Sequence, residues 1–122
     1  MKTRKEMKEE YKQMKFKMGV FQIKNIANGK ILLGSSLNLE GPLNSHKFML
    51  SIGSHRNTAL QKDWNELGSE NFIFEILEVV KVIDDPKFNL SDELTLLEQI
   101  WLEKLQPFIP NGYNINSNIR QV

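Results

Sequence analysis

Gly19-Val20-Phe21-Gln22-Ile23-Lys24-Asn25, then Asn28-Gly29-Lys30, then Ile31-Leu32-Leu33-Gly34 is the stretch whose reading decides the fold. Apolar and polar residues alternate along the first segment, the pattern of a strand with one face packed and one wet. Asn28-Gly29 is a strong hairpin signal, because both residue types tolerate the positive φ of a type I′ turn. Ile31 to Gly34 is then the return strand, short and continuously apolar, with Ser35 and Ser36 ending it.

Downstream, Asn38 is expected to cap a helix with Pro42 in its first turn, where a missing N–H costs nothing. Leu43, His46, Phe48, Met49, Leu50 and Ile52 form the apolar side of that helix, and Gly53 closes it. Asn57 or Thr58 starts a second helix with a Leu60, Trp64, Leu67 stripe and a stop at Gly68. Residues 71–80 are rich in β-branched and aromatic residues and read as a third strand, with Phe72, Phe74, Ile76 and Leu77 as core candidates. A loop around Asp84-Asp85-Pro86 leads to Ser91-Asp92-Glu93, a hydroxyl cap with two carboxylates in a first turn, opening the longest helix. Leu94, Leu97, Trp101 and Leu105 line one side of it, and Pro107 and Pro110 end it. Asn111 to Ile115 is a turn and a short extended tail. Ahead of the hairpin, Met7, Tyr11, Met14 and Met18 recur at helical spacing among six lysines or arginines. The expected organisation is thus a basic N-terminal helix or arm over residues 1–17 and one α+β domain over residues 18–122, a small antiparallel three-stranded sheet flanked by helices.

Composition sets the outer limits. The 122 residues are 40% hydrophobic and 25% charged, which suits one globular domain. The chain has no cysteine, so a disulfide framework and a thiolate zinc site are both excluded. No apolar run is long enough to span a bilayer, and the charged first residues contain no apolar signal segment, so a cytoplasmic location is expected. Lysine plus arginine outnumber acids 12 to 4 in residues 1–62, and acids outnumber them 11 to 4 in residues 63–122. A basic first half suits a phosphate backbone. Equally, the two halves suit attraction to each other, inside one fold or between two copies.

Read together, several segments resemble the GIY-YIG endonuclease superfamily, which includes phage homing endonucleases and the cutting domain of bacterial nucleotide-excision repair. The resemblance is carried by the hairpin, His46, Gly53-Ser54-His55, Leu60 to Asn65, Gly68 to Phe72, Leu97-Glu98 and Asn111-Gly112-Tyr113-Asn114, in order, across roughly residues 18–116. It implies cleavage of a phosphodiester with one divalent metal. In that family a helical glutamate holds the cation, an arginine neutralises phosphate charge, tyrosines of the two signature tripeptides orient or deprotonate the attacking water, and an asparagine props up the site.

Residue by residue the carry-over is mixed. The metal-binding glutamate falls on Glu98 and the asparagine on Asn114. The first tyrosine falls on Phe21, which lacks the hydroxyl; the second falls on Leu32; the arginine falls on Pro42, which has no donor. A family histidine falls on His46 and another on His55. By this reading Glu98, Asn114 and His46 remain of the catalytic set, with Mg²⁺ or Mn²⁺ at Glu98 as the implied cofactor. Lys24, Lys47, His55, Arg56 and Lys62 are the nucleic-acid-binding candidates. Each has a plainer role too. Glu98 suits a surface carboxylate, His46 a partly buried satisfied imidazole, and Asn114 a bond to local backbone. Trp64 and Trp101 suit core packing better than base stacking. Two hydroxyls and a guanidinium are missing, and losing one oxyanion-type donor alone costs about 10²–10³ in rate. The expectation is a family domain that retains affinity for DNA, more than RNA, with cleavage impaired or absent. The alternatives are a residual metal-dependent nuclease using Glu98, and a protein–protein or homodimer module.

Overall fold

The computed structural model describes residues 17–115, so the N-terminal helix expected over residues 1–17 lies almost wholly outside the described residues. Three strands and three helices follow in order: β1 Gly19–Asn25, β2 Ile31–Ser36, α1 Glu40–Ser51, α2 Thr58–Leu67, β3 Phe72–Val79 and α3 Leu90–Leu105. The sheet is antiparallel with order β2-β1-β3, so the most buried strand is central. This is the α+β architecture expected.

Register sorts the side chains. Phe21 faces Gly34 and Ile76, Ile23 faces Leu32 and Phe74, and Asn25 faces Phe72. Cross-strand partners share a face, so these form one side of the sheet, over which α1 and α2 fold. The core there is Ile23, Leu50, Leu60, Phe72 and Tyr113, with Leu32, Ala59, Trp64 and Phe74 packed against it. Val20, Gln22 and Leu33 lie on the opposite side, which α3 covers with buried Leu94. Alternation along β1 therefore means burial on both faces, as befits a middle strand with helices on each side.

Several local expectations are corrected. Of Asn28 and Gly29 only Gly29 has positive φ, and Asn25 pairs across a four-residue loop with Lys30, so the hairpin turn is not type I′. The Asn28 side chain instead accepts from the Lys30 N–H, as asparagine does in turns. Strand β2 runs on through Ser35 and Ser36. Helix α1 starts at Glu40 after Leu39, with no side-chain cap; Asn38 is not the cap. The Ser36 hydroxyl bridges the Asn38 N–H and C=O just ahead of the helix. Asn89, not Ser91, caps α3 by accepting from the Asp92 N–H. Phe48 and Ile52 are 62% and 58% exposed and Ile76 is 39% exposed, so these three are not core. Ile76 keeps the regular register opposite Phe21, and the shift in β3 falls beyond it, where Val20 pairs with Glu78 and not Leu77. Trp101 is not in the core either: its indole N–H donates to Glu78 at 2.9 Å and Lys104 sits over its ring. Asn57 does cap α2, and Gly68, at φ +91°, stops it as expected. Among the described residues no helix is long and apolar enough to cross a membrane.

Candidate functional site

Strand β2 is the spine of the site. Four consecutive residues each carry one of its contacts. Leu32 packs into the core beneath α1 and α2. Leu33 is clamped by Asn114: its N–H donates to Asn114 Oδ1 at 2.8 Å, and Asn114 Nδ2 donates to its carbonyl at 2.9 Å. Gly34 lies under the ring of Phe21, so close that a Cβ there would sit 2.6 Å from Phe21 Cζ. The Ser35 hydroxyl donates to Glu98 of α3. Strand side chains alternate between faces, so Phe21 and Glu98 approach β2 from opposite sides of the sheet at neighbouring positions.

Helix α1 brings His46 over the same end, its ring 5.6 Å from Phe21. The α1–α2 loop returns His55 to it. The two imidazoles stack at 4.9 Å between centroids, and His46 Nδ1 lies 2.7 Å from His55 Nε2. Burial lowers the pKa of both. At His55 the neighbouring imidazole lowers it further and the hydrogen bond with the Asn57 backbone opposes the shift; at both rings the net direction favours the neutral form. Gln61 holds the loop in place: its Oε1 accepts from the His55 N–H, and its Nε2 donates to the Leu50 carbonyl and to Asn65.

Tyr113 locks the C-terminal turn onto this frame. It is fully buried, and its hydroxyl donates to Asp63 at 2.6 Å while accepting from Asn25 Nδ2 at 3.1 Å. Burial, then the carboxylate, pushes its pKa to about 12. The Tyr113 N–H donates to Ile31, and Asn57 Nδ2 donates to the Tyr113 carbonyl. Gly112 is required here by close approach, since a Cβ would meet the Pro107 carbonyl oxygen at 2.2 Å.

The sequence candidates thus divide. Phe21, His46 and His55 are brought into contact, and Asn114 and Glu98 join them through β2. Pro42 is in the first turn of α1, one turn before His46. Lys47 and Arg56 are exposed beside the two histidines in the chain. Lys62 lines an open groove of about 460 Å³ with His55, Thr58, Asn65 and Glu66. Lys24 stands apart, on the sheet face opposite Phe21 and at the hairpin end of β1. Sequence reasoning missed Ser35, Asn57, Asp63 and Tyr113 as parts of this frame. Tyr113 was signalled by the Asn-Gly-Tyr-Asn turn, Asp63 lies in the Leu60 to Asn65 segment and Asn57 was read as a helix start. Their partners in the frame, like that of Ser35, are long-range and are not revealed by spacing.

A divalent cation would find one carboxylate here. Among the described residues no group of three histidine, cysteine or acidic side chains converges on a point. Glu98 with the Ser35 hydroxyl suits a hard cation only if water and phosphate oxygens complete its shell.

No family model matches the chain. The chain is 31% identical over 99 residues to a curated protein, intron-associated endonuclease 1 of Enterobacteria phage T4; the match takes in 81% of this chain but only 37% of that protein's length. Among solved structures it is similar to the catalytic domain of the homing endonuclease I-TevI, at a TM-score of 0.65 and 33% identity, covering 82% of this chain and 99% of that one. A mutant of the same catalytic domain gives a TM-score of 0.66 at 32% identity, covering 82% and 94%.

Proposed function

The chain belongs to the GIY-YIG endonuclease superfamily, and from that premise we propose that it is a nucleic-acid-binding domain, for DNA before RNA, whose cleavage is impaired or absent. The observation that carries this reading is Phe21. At the position of the first signature tyrosine the ring is kept, 3% exposed and seated on Gly34, but no hydroxyl remains to orient water. Leu32 belongs to the core packing, and Pro42 offers α1 no side-chain donor. The hydrogen bonds that hold β2, from Asn114 and to Glu98, are in place, while the groups that would move protons and neutralise developing charge are absent from these positions.

Binding falls to the exposed cations near the histidines. Lys47, Arg56 and Lys62 supply charge, and His55 and the groove beside it supply the adjoining surface. If Glu98 holds Mg²⁺ or Mn²⁺, the ion supplies polarisation of the phosphate and stabilisation of the leaving oxygen. Ser35 then orients the carboxylate by its hydrogen bond.

The test is binding of a short DNA duplex across a salt series, beside a nicking assay with Mn²⁺. Affinity falling steeply with salt, with a slope of about −0.9 per phosphate neutralised, supports the reading. Salt-independent affinity counts against binding. Strand scission that is strong in the unmodified protein and lost in Glu98→Gln overturns the impairment and makes the domain a metal-dependent nuclease.

A further inference from the structure

The protons of the histidine pair can be placed from the heavy atoms alone. The backbone N–H of Asn57 donates to His55 Nδ1 at 3.0 Å. A ring nitrogen that accepts is bare, so neutral His55 carries its proton on Nε2. That nitrogen lies 2.7 Å from His46 Nδ1, which must then accept. Neutral His46 is left with its proton on Nε2. No described residue accepts from that N–H, and no buried side-chain nitrogen lacks a partner, so it reaches the surface.

The order cannot be reversed without a clash. A proton on His55 Nδ1 would point at the Asn57 N–H. A proton on His46 Nδ1 would point at the His55 N–H. Asn57 is itself held, because it caps α2 through Oδ1 and donates through Nδ2 to the Tyr113 carbonyl. The direction of the whole chain is therefore set by a backbone amide at a helix cap.

We propose that the Asn57 amide, acting through His55 as a positioning residue, fixes His46 as a neutral hydrogen-bond donor whose Nε2–H receives a non-bridging oxygen of a phosphate group. The inference rests on the nucleic-acid reading above only for the source of that phosphate. A donor-only edge selects an acceptor, and exposed Lys47 and Arg56, each next in the chain to a histidine, make an anion the acceptor favoured. A neutral donor orients a phosphate without adding the formal charge an arginine brings. That suits holding a phosphate more than stabilising the extra charge of a transition state.

The experiment is NMR of the full chain with ¹⁵N-labelled histidine, at neutral pH, titrated first with inorganic phosphate and then with a short DNA duplex. Both rings are expected as Nε2–H tautomers, with the ligand moving His46 Nε2 and leaving His55 Nδ1 in place. His55→Phe should let His46 sample both tautomers and weaken duplex binding about tenfold. His46→Gln, which keeps an N–H, should retain most of the affinity that His46→Leu loses. An Nδ1–H tautomer at either ring overturns the proposal. So does duplex binding that leaves His46 Nε2 unmoved and is indifferent to His46→Leu, although the nucleic-acid reading then survives. Phosphate that moves Nε2 beside a duplex that never binds has the opposite meaning: the donor site stands and the nucleic-acid reading falls.

Discussion

The Tyr113 hydroxyl donates to the Asp63 carboxylate at 2.6 Å, joining the C-terminal turn to α2 across 50 residues of chain. Asn25 of the central strand donates to the same hydroxyl, so one oxygen ties together a strand, a helix and the turn that carries Asn114. The site is built on this tie, because Asn114 follows Tyr113 directly and clamps β2.

Tyr113→Phe removes that oxygen and leaves the Asn25 amide buried without its partner. The expected loss is about 1–3 kcal/mol, read as a lower urea midpoint at unchanged slope. Asp63→Asn, which keeps a hydrogen-bonding oxygen, should cost less. A Tyr113→Phe variant as stable as the parent would show that the tie is dispensable.

Gly34→Ala forces a methyl group against the Phe21 ring, which is buried and has no room to withdraw. Overpacking of this kind costs about 1–3 kcal/mol. Phe21→Leu in the same chain should recover part of it, giving a coupling that a double-mutant cycle measures. Strict additivity would mean that ring and strand do not touch in solution.

Acid should destabilise the fold before the carboxylates begin to titrate. Burial lowers the pKa of His46 and His55 below the ordinary 6.5 of an unfolded chain. The unfolded state therefore binds more protons as pH falls below about 6.5, and stability drops until the lowered native values are passed. Denaturant midpoints at pH 7.5 and 5.5 should differ more in the parent than in a His46→Phe, His55→Phe double variant. Equal differences would remove the histidines as the cause.

Asn114→Ala takes two hydrogen bonds from Leu33 on the edge strand β2. The loss should be about 1–3 kcal/mol, with hydrogen exchange accelerated at Leu33 more than at Ile23 on the central strand. Asn114→Asp keeps the acceptor for the Leu33 N–H and loses the donor to its carbonyl, so it should fall between. Uniform acceleration across all three strands would mean that Asn114 supports the whole sheet and not β2 in particular.

Phe21→Tyr, Leu32→Tyr and Pro42→Arg together restore the side chains that the family reading finds missing. Metal-dependent nicking is expected in the triple variant, absent or far weaker in each single variant, and abolished when Glu98→Gln is added. A folded triple variant without activity would mean that more than these three groups has been lost.

What the linear chain determined was the set of elements, though not that β1 is buried on both of its faces. Alternation from Phe21 to Lys24, the Asn-Gly turn and the stops at Gly53 and Gly68 are local signals, governed by backbone sterics and by residues a few positions apart. The resemblance that assigns roles to Phe21, Leu32, Pro42, Glu98 and Asn114 rests on local signals too, since each of these residues sits in a short ordered motif. Tertiary structure decided the rest. It turned Phe48 and Ile52 outward and made Asn89 and not Ser91 the cap of α3. It also set Glu98 on Ser35, Asn57 on His55 and Tyr113 on Asp63. Each of those pairs depends on where a side chain arrives after the sheet and helices have packed. Hydrophobic burial, which drives that packing, depends on area and carries no direction of its own. The hydrogen bonds that give the site its direction are chosen only once burial has brought distant residues within reach.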